Sequence, residues 1–240
     1  MTNMIEITYI YKTNRDIVIF VLIFLISTLI ILYVSSISVN AGESEIDKCL
    51  VIVSGYGGYP SNEISKASSF YEYLNCPDKA ITYLTNQSDP DSEGPANVSN
   101  VEAAFEWLES HSQPSDEVTI YISDHEKRCW NETYFVFDDG NISAESIKLW
   151  LEGVQCSKMT LILNGKRSGL AGPELYDTNR DVICSMGSDQ DFDPDLFNIT
   201  RSLEDTSADT DGDGEVSYIE AYWKEVENLQ GSGQDPCIWI

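Results

Sequence analysis

The chain has 240 residues, 42% of them hydrophobic, which suits one ordinary domain with a proper core plus a targeting segment. Forty Asp and Glu against fourteen Lys and Arg give a net charge of -26. Such a surface repels phosphate backbones and anionic headgroups, so nucleic acid is excluded as a natural partner.

Residues 1–16 read as a cytoplasmic N-terminus and 17–39 as a membrane anchor or signal segment. The run 17–34 is apolar apart from Ser27, Thr28 and Tyr33, and at 1.5 Å per residue it would make a helix of about 27 Å, close to the hydrocarbon thickness of a bilayer. Lys12 and Arg15 precede it and Glu43, Glu45 and Asp47 follow, which places the remainder of the chain outside. Val39-Asn40-Ala41 resembles a signal-peptidase site, so a cleaved, secreted form is the alternative to a retained anchor. The sequons at Asn86, Asn97, Asn131, Asn141 and Asn198 all follow the apolar run and are glycosylation candidates. Six cysteines, Cys49, Cys76, Cys129, Cys156, Cys184 and Cys237, follow it too; an even number in an oxidising compartment favours disulfides, with pairing open. With no Cys-x-x-Cys and only His111 and His125, a zinc site is not expected.

A strand is predicted at 49–54, followed by a turn containing Gly55, Gly57 and Gly58 that matches neither a dinucleotide fingerprint nor a Walker loop. Ser61 is expected to cap a helix to about residue 75, with Ile64, Phe70, Tyr71 and Leu74 on its inner face. A strand at 80–84, a polar loop at 86–95 and a helix at 101–110 follow, the helix presenting Ala104, Phe105, Trp107 and Leu108. Next come a strand at 118–122 ending in Ser123-Asp124-His125, a short hairpin at 134–137, a helix at 143–152, and strands at 159–163 and 181–186. The alternation predicts an α/β domain over 46–200 with a mostly parallel sheet, whose strand carboxyl ends are where ligands bind.

Ile120-Tyr121-Ile122-Ser123-Asp124-His125, Leu149-Trp150-Leu151-Glu152 and Leu161-Ile162-Leu163-Asn164-Gly165-Lys166-Arg167-Ser168-Gly169 together resemble the legumain-like cysteine peptidases of the caspase-haemoglobinase fold. That family has one strand ending in Asp-His-Gly and a later one ending in Asp-Ala-Cys-x-Ser-Gly. The resemblance implies a caspase-like three-layer sandwich, with His125 as a vestigial general base and Lys166 at the position of the cysteine nucleophile. Glu126 stands where the family has glycine. A charged lysine cannot form the thioester intermediate, so the expectation is a pseudopeptidase that binds a peptide or partner protein without cutting it. The alternative is a hydrolase using non-standard residues in the same cleft.

Residues 209–220, Asp-Thr-Asp-Gly-Asp-Gly-Glu-Val-Ser-Tyr-Ile-Glu, have the spacing of an EF-hand or dockerin-like calcium loop. Asp209, Asp211, Asp213, the Glu215 carbonyl, Ser217 and Glu220 would supply oxygen to Ca²⁺. A helix is predicted at 217–228, but 193–208 is too polar and broken for a good entering helix. The loop and final helix are assigned to 205–228, and 229–240 is read as a C-terminal tail.

Overall fold

In the computed structural model the described residues are 48–53, 60–74, 81–86, 88–191 and 196–240, with backbone alone for 48, 49, 51, 53 and 60–65. The apolar run 17–34, the glycine turn after the first strand and Cys76 lie outside them. Among the described residues no helix is long and apolar enough to cross a membrane.

Six strands form the main sheet in the order β2-β1-β3-β7-β8-β9. They are β1 (Lys48–Val53), β2 (Ile81–Thr85), β3 (Glu117–Ser123), β7 (Lys158–Leu163), β8 (Arg180–Cys184) and β9 (Cys237–Trp239). Every pairing is parallel except β8 with β9. The parallel strands are unbroken apolar runs because helices cover both faces, so each side chain meets a core whichever way it points. Leu50, Ile52, Ile120, Ile122, Leu161 and Leu163 face one core; Tyr83, Tyr121, Ile162 and Ile183 face the other. Burying each aliphatic side chain is worth roughly 1.5–3 kcal/mol.

The first core is covered by α2 (Val98–His111), α3 (Ala144–Glu152) and α4 (Gly172–Leu175). α2 begins three residues earlier than expected, because Asn97 caps it by accepting from Asn100 N. It buries Val101, Ala104, Phe105 and Leu108, the i, i+3, i+4, i+7 stripe of a half-buried helix. Trp107 is partly buried against the same core and stacks on His111 at 5.0 Å. Ser143 caps α3 in the same way, through Ser146 N.

The second core lies under α1 (Pro60–Leu74), α5 (Ile199–Leu203) and α6 (Tyr218–Asn228). α6 carries Ala221, Tyr222 and the fully buried Glu225 inward. The Glu225 carboxylate accepts from Asn198 N, Ser202 Oγ and Arg201 Nη2 at 2.9, 2.5 and 2.9 Å, which fixes α5 to α6. The segment before the acidic loop therefore does contain helix: among its described residues are the five of α5 and a 3₁₀ turn at Thr206–Ala208. The tail contributes β9 to the sheet edge.

Between β3 and α3 the short hairpin expected from the sequence is a three-stranded antiparallel sheet of β4 (Glu126–Cys129), β5 (Glu132–Phe137) and β6 (Gly140–Ser143). Sequential growth of the main sheet reverses between β1 and β3, the kind of switch point beside which open α/β sheets bind ligands at their strand carboxyl ends. His125 stands on the β3 side of that reversal.

Candidate functional site

The register of β3 on β7 sets Ile122 beside Leu163, so the two chains leave the sheet level with one another. Asn164 N donates to Ile122 O at 2.8 Å, Ser123 Oγ donates to Asn164 O at 3.0 Å, and Glu126 N donates to Lys166 O at 3.0 Å. The chains are pressed together at Gly165, where a Cβ would stand 1.5 Å from the carbonyl oxygen of Asp124. No side chain fits that gap. His125 and Lys166 are thereby brought to the same end of adjacent strands.

Lys166 Nζ pairs with Asp191 Oδ1 at 3.1 Å, the lysine side chain being 20% and the aspartate 55% exposed. Asp191, far from Lys166 in sequence, thus brings a carboxylate to the lysine. Burial lowers the pKa of His125, and the Lys166 charge lowers it further, with Asp191 opposing. The Asp191 carboxyl is held below its usual range, chiefly by the hydrogen bond from Lys166. At neutral pH the group is a neutral imidazole beside an ion pair. The imidazole can take a proton, but the adjoining side chain is an ammonium, which has none of a thiolate's nucleophilicity. Ser168 offers no substitute, being fully buried with its Oγ against Ser185 Oγ at 3.2 Å and accepting from Met186 N at 3.2 Å. Cys129 is exposed at the far end of β4, and Cys156 precedes the amino end of β7. The four cysteines whose side chains are described, Cys129, Cys156, Cys184 and Cys237, are free thiols in the structure.

Glu126 points away from this group. Neighbouring side chains of extended backbone take opposite faces, so a histidine at the strand end sends the next residue inward. The Glu126 carboxyl is 4% exposed and accepts from Ala171 N at 2.9 Å, while its other oxygen has no hydrogen-bond partner among the described residues. Burial raises its pKa well above the carboxyl value, against the lowering by the Ala171 N–H, so it keeps its proton to higher pH than an ordinary carboxyl. Above the unfolded-state pKa the folded chain then holds one more proton than the unfolded chain. Stability should fall as pH rises towards the folded pKa, by up to about 1.4 kcal/mol per pH unit. Glu126→Gln, which keeps the shape and removes the titration, should flatten that slope in urea unfolding measured from pH 5 upward. An identical slope in parent and variant would mean the proton is held elsewhere.

A second candidate is the loop between the Thr206–Ala208 turn and α6. One carboxylate oxygen from each of Asp209, Asp211 and Asp213 lies within 4.8 Å of the others. Gly212 and Gly214 have φ of 78° and 97°, and their N–H groups donate to the Asp209 carboxylate at 2.7 and 3.1 Å. Glu220 reaches back across the loop, accepting from Thr210 N at 2.7 Å and Ser217 N at 2.9 Å, and Ser217 caps α6 reciprocally. These bonds, that from Ser217 N foremost, pull the Glu220 pKa down to about 2. Of the expected oxygen donors only the three aspartate carboxylates are grouped in this way; Ser217 Oγ is engaged with Glu220, donating to its Oε2 and accepting from its N–H.

A cavity of about 560 Å³ near this loop opens at the amino ends of β3 and β7, bordered by Glu117, Thr119, Lys158, Thr160 and Tyr218. It is at the opposite end of the sheet from His125. Of the sequons, Asn131 and Asn141 are exposed, Asn97 and Asn198 are helix caps, and Asn86 Nδ2 donates to Asp138 Oδ2.

Fold and site together define an α/β protein with a mixed, mostly parallel sheet, a histidine beside a lysine–aspartate pair at its strand ends and an acidic loop at its C-terminal side. No protein-family model matches the chain, and no curated protein matches it.

Proposed function

We propose that this is an extracytoplasmic, membrane-tethered, calcium-binding pseudopeptidase of legumain-like fold, which holds a peptide or partner protein at its strand ends without cleaving it. The observation that carries the reading is Lys166, ion-paired to Asp191 beside His125 where the resembled family has its cysteine. Support for the fold comes from helices on both faces of a mostly parallel sheet and from two motif segments ending level on adjacent strands. Support for the location comes from the charge flanking 17–34 and the sequons beyond it. The acidic loop supports Ca²⁺ as the metal.

The test is reactivity. The full chain should leave peptide reporters uncut and electrophilic peptide probes unbound, and His125→Ala should change neither result. The ion pair that Lys166→Cys removes is partly exposed and worth about 1 kcal/mol or less, so the variant should fold. It should gain probe labelling that His125→Ala then suppresses. Labelling of the unmodified protein that depends on His125 would establish the active-hydrolase reading instead.

A further inference from the structure

β9 is a three-residue strand at the end of the chain and the one antiparallel member of the main sheet. Its register on β8 sets Cys184 opposite Cys237, Ile183 opposite Ile238 and Val182 opposite Trp239. Directly opposed residues of an antiparallel pair have Cα atoms roughly 4.5–5.5 Å apart and send their side chains to the same face. Disulfides bridge Cα separations of roughly 4.4–6.8 Å. Cys184 is buried in the first core and the partly buried Cys237 packs against that core, its Sγ donating to Met186 O. Cys129 and Cys156 lie elsewhere, on β4 and ahead of β7.

We propose that Cys184 and Cys237 form a cross-strand disulfide that fastens the C-terminal strand to the sheet and braces the turn behind Lys166. Cys237 Sγ is 2.9 Å from where a Cβ on Gly169 would stand and 3.5 Å from Met186 O, so the sulfur pair sits against the Ser168-Gly169 turn. The bond would close a ring around residues 184–237, which contains the acidic loop and α6. Nothing in this inference depends on the pseudopeptidase reading.

The chemistry is thiol–disulfide exchange with a small-molecule or protein disulfide as oxidant. Cys237 is the attacking thiol because it is the half-buried one an oxidant can reach, whereas Cys184 is fully buried and burial pushes its thiol pKa up. The Cys237 thiolate attacks one sulfur of the oxidant and expels the other as thiolate. That thiolate takes the Cys184 proton, and Cys184 attacks Cys237 Sγ and expels the second oxidant thiol. Two chain thiols lose two electrons and two protons, and one oxidant disulfide gains them.

The full chain, equilibrated with oxidised glutathione and alkylated without reduction, is digested with trypsin. Cleavage after Arg180, Arg201 and Lys224 leaves Cys184 in 181–201 and Cys237 in 225–240, and mass spectrometry should find these two peptides joined. Alkylation of both at every glutathione ratio, or Cys237 joined to another cysteine, overturns the proposal. With chelator present throughout, reductant should lower the melting temperature of the oxidised protein by roughly 10 °C. Cys237→Ser should abolish that response and Cys129→Ser should retain it; an undiminished response in Cys237→Ser also overturns the proposal.

Discussion

Gly165→Ala should be the most damaging single-methyl change at the strand ends, lowering stability by about 3 kcal/mol or more. The new Cβ would stand 1.5 Å from Asp124 O and 2.6 Å from Asp124 C, both backbone atoms, so relief requires moving a strand end rather than a side chain. The neighbouring bonds resist that movement, because Asn164 N is tied to Ile122 O and Glu126 N to Lys166 O on either side of the contact. At a typical urea dependence this is a fall in midpoint of roughly 1–2 M. Gly187→Ala is the control, since its Cβ would meet its nearest neighbour at an ordinary 3.5 Å. It should shift the midpoint little. Equal midpoints for the two variants would mean that β3 and β7 do not converge at Gly165.

The sheet is legible in the sequence because its strands are buried on both faces and so appear as unbroken apolar runs. The approach of His125 to Lys166 follows from two such runs ending together, which the pairing of Ile122 with Leu163 realises. Asp191 was not legible. It comes from a loop with neither helical nor strand period, and Asp124 and Glu126, nearer in sequence, are the partners a reader would choose. Glu126 misleads for a local reason: alternation along an extended chain carries it behind the histidine it follows. β9 is too short for a periodic signal and has no turn motif tying it to β8, so only the structure brings Cys237 to Cys184. The start of α2 was hidden by its polar first turn, Val98-Ser99-Asn100, although the capping residue Asn97 was available to find it.

Calcium should stabilise the C-terminal part of the domain rather than switch it between shapes. A sensor needs two long helices that change their angle, and here the entering element is the five-residue α5, fastened to α6 through buried Glu225. Within the loop, three aspartates whose oxygens approach within 4.8 Å repel one another until a cation lies between them. Glu220 holds the loop ends together through Thr210 and Ser217, and its pKa is lowered to about 2, so its contribution to stability is full above the ordinary carboxyl range and is lost progressively as pH falls from there through the folded pKa. With Ca²⁺ at about 100 times its dissociation constant, mass action adds about 2.7 kcal/mol. For a domain of this size that is a rise in melting temperature of roughly 5–10 °C. Glu220→Gln retains a side chain able to complete the capping box but lacks the charge, so it should fold and lose most of the rise. In chelator, amide exchange should quicken first between Thr206 and Asn228, ahead of β3 and β7. A melting temperature indifferent to Ca²⁺ in the parent chain, with no heat of binding at millimolar Ca²⁺, would leave the loop as a self-bonded acidic turn.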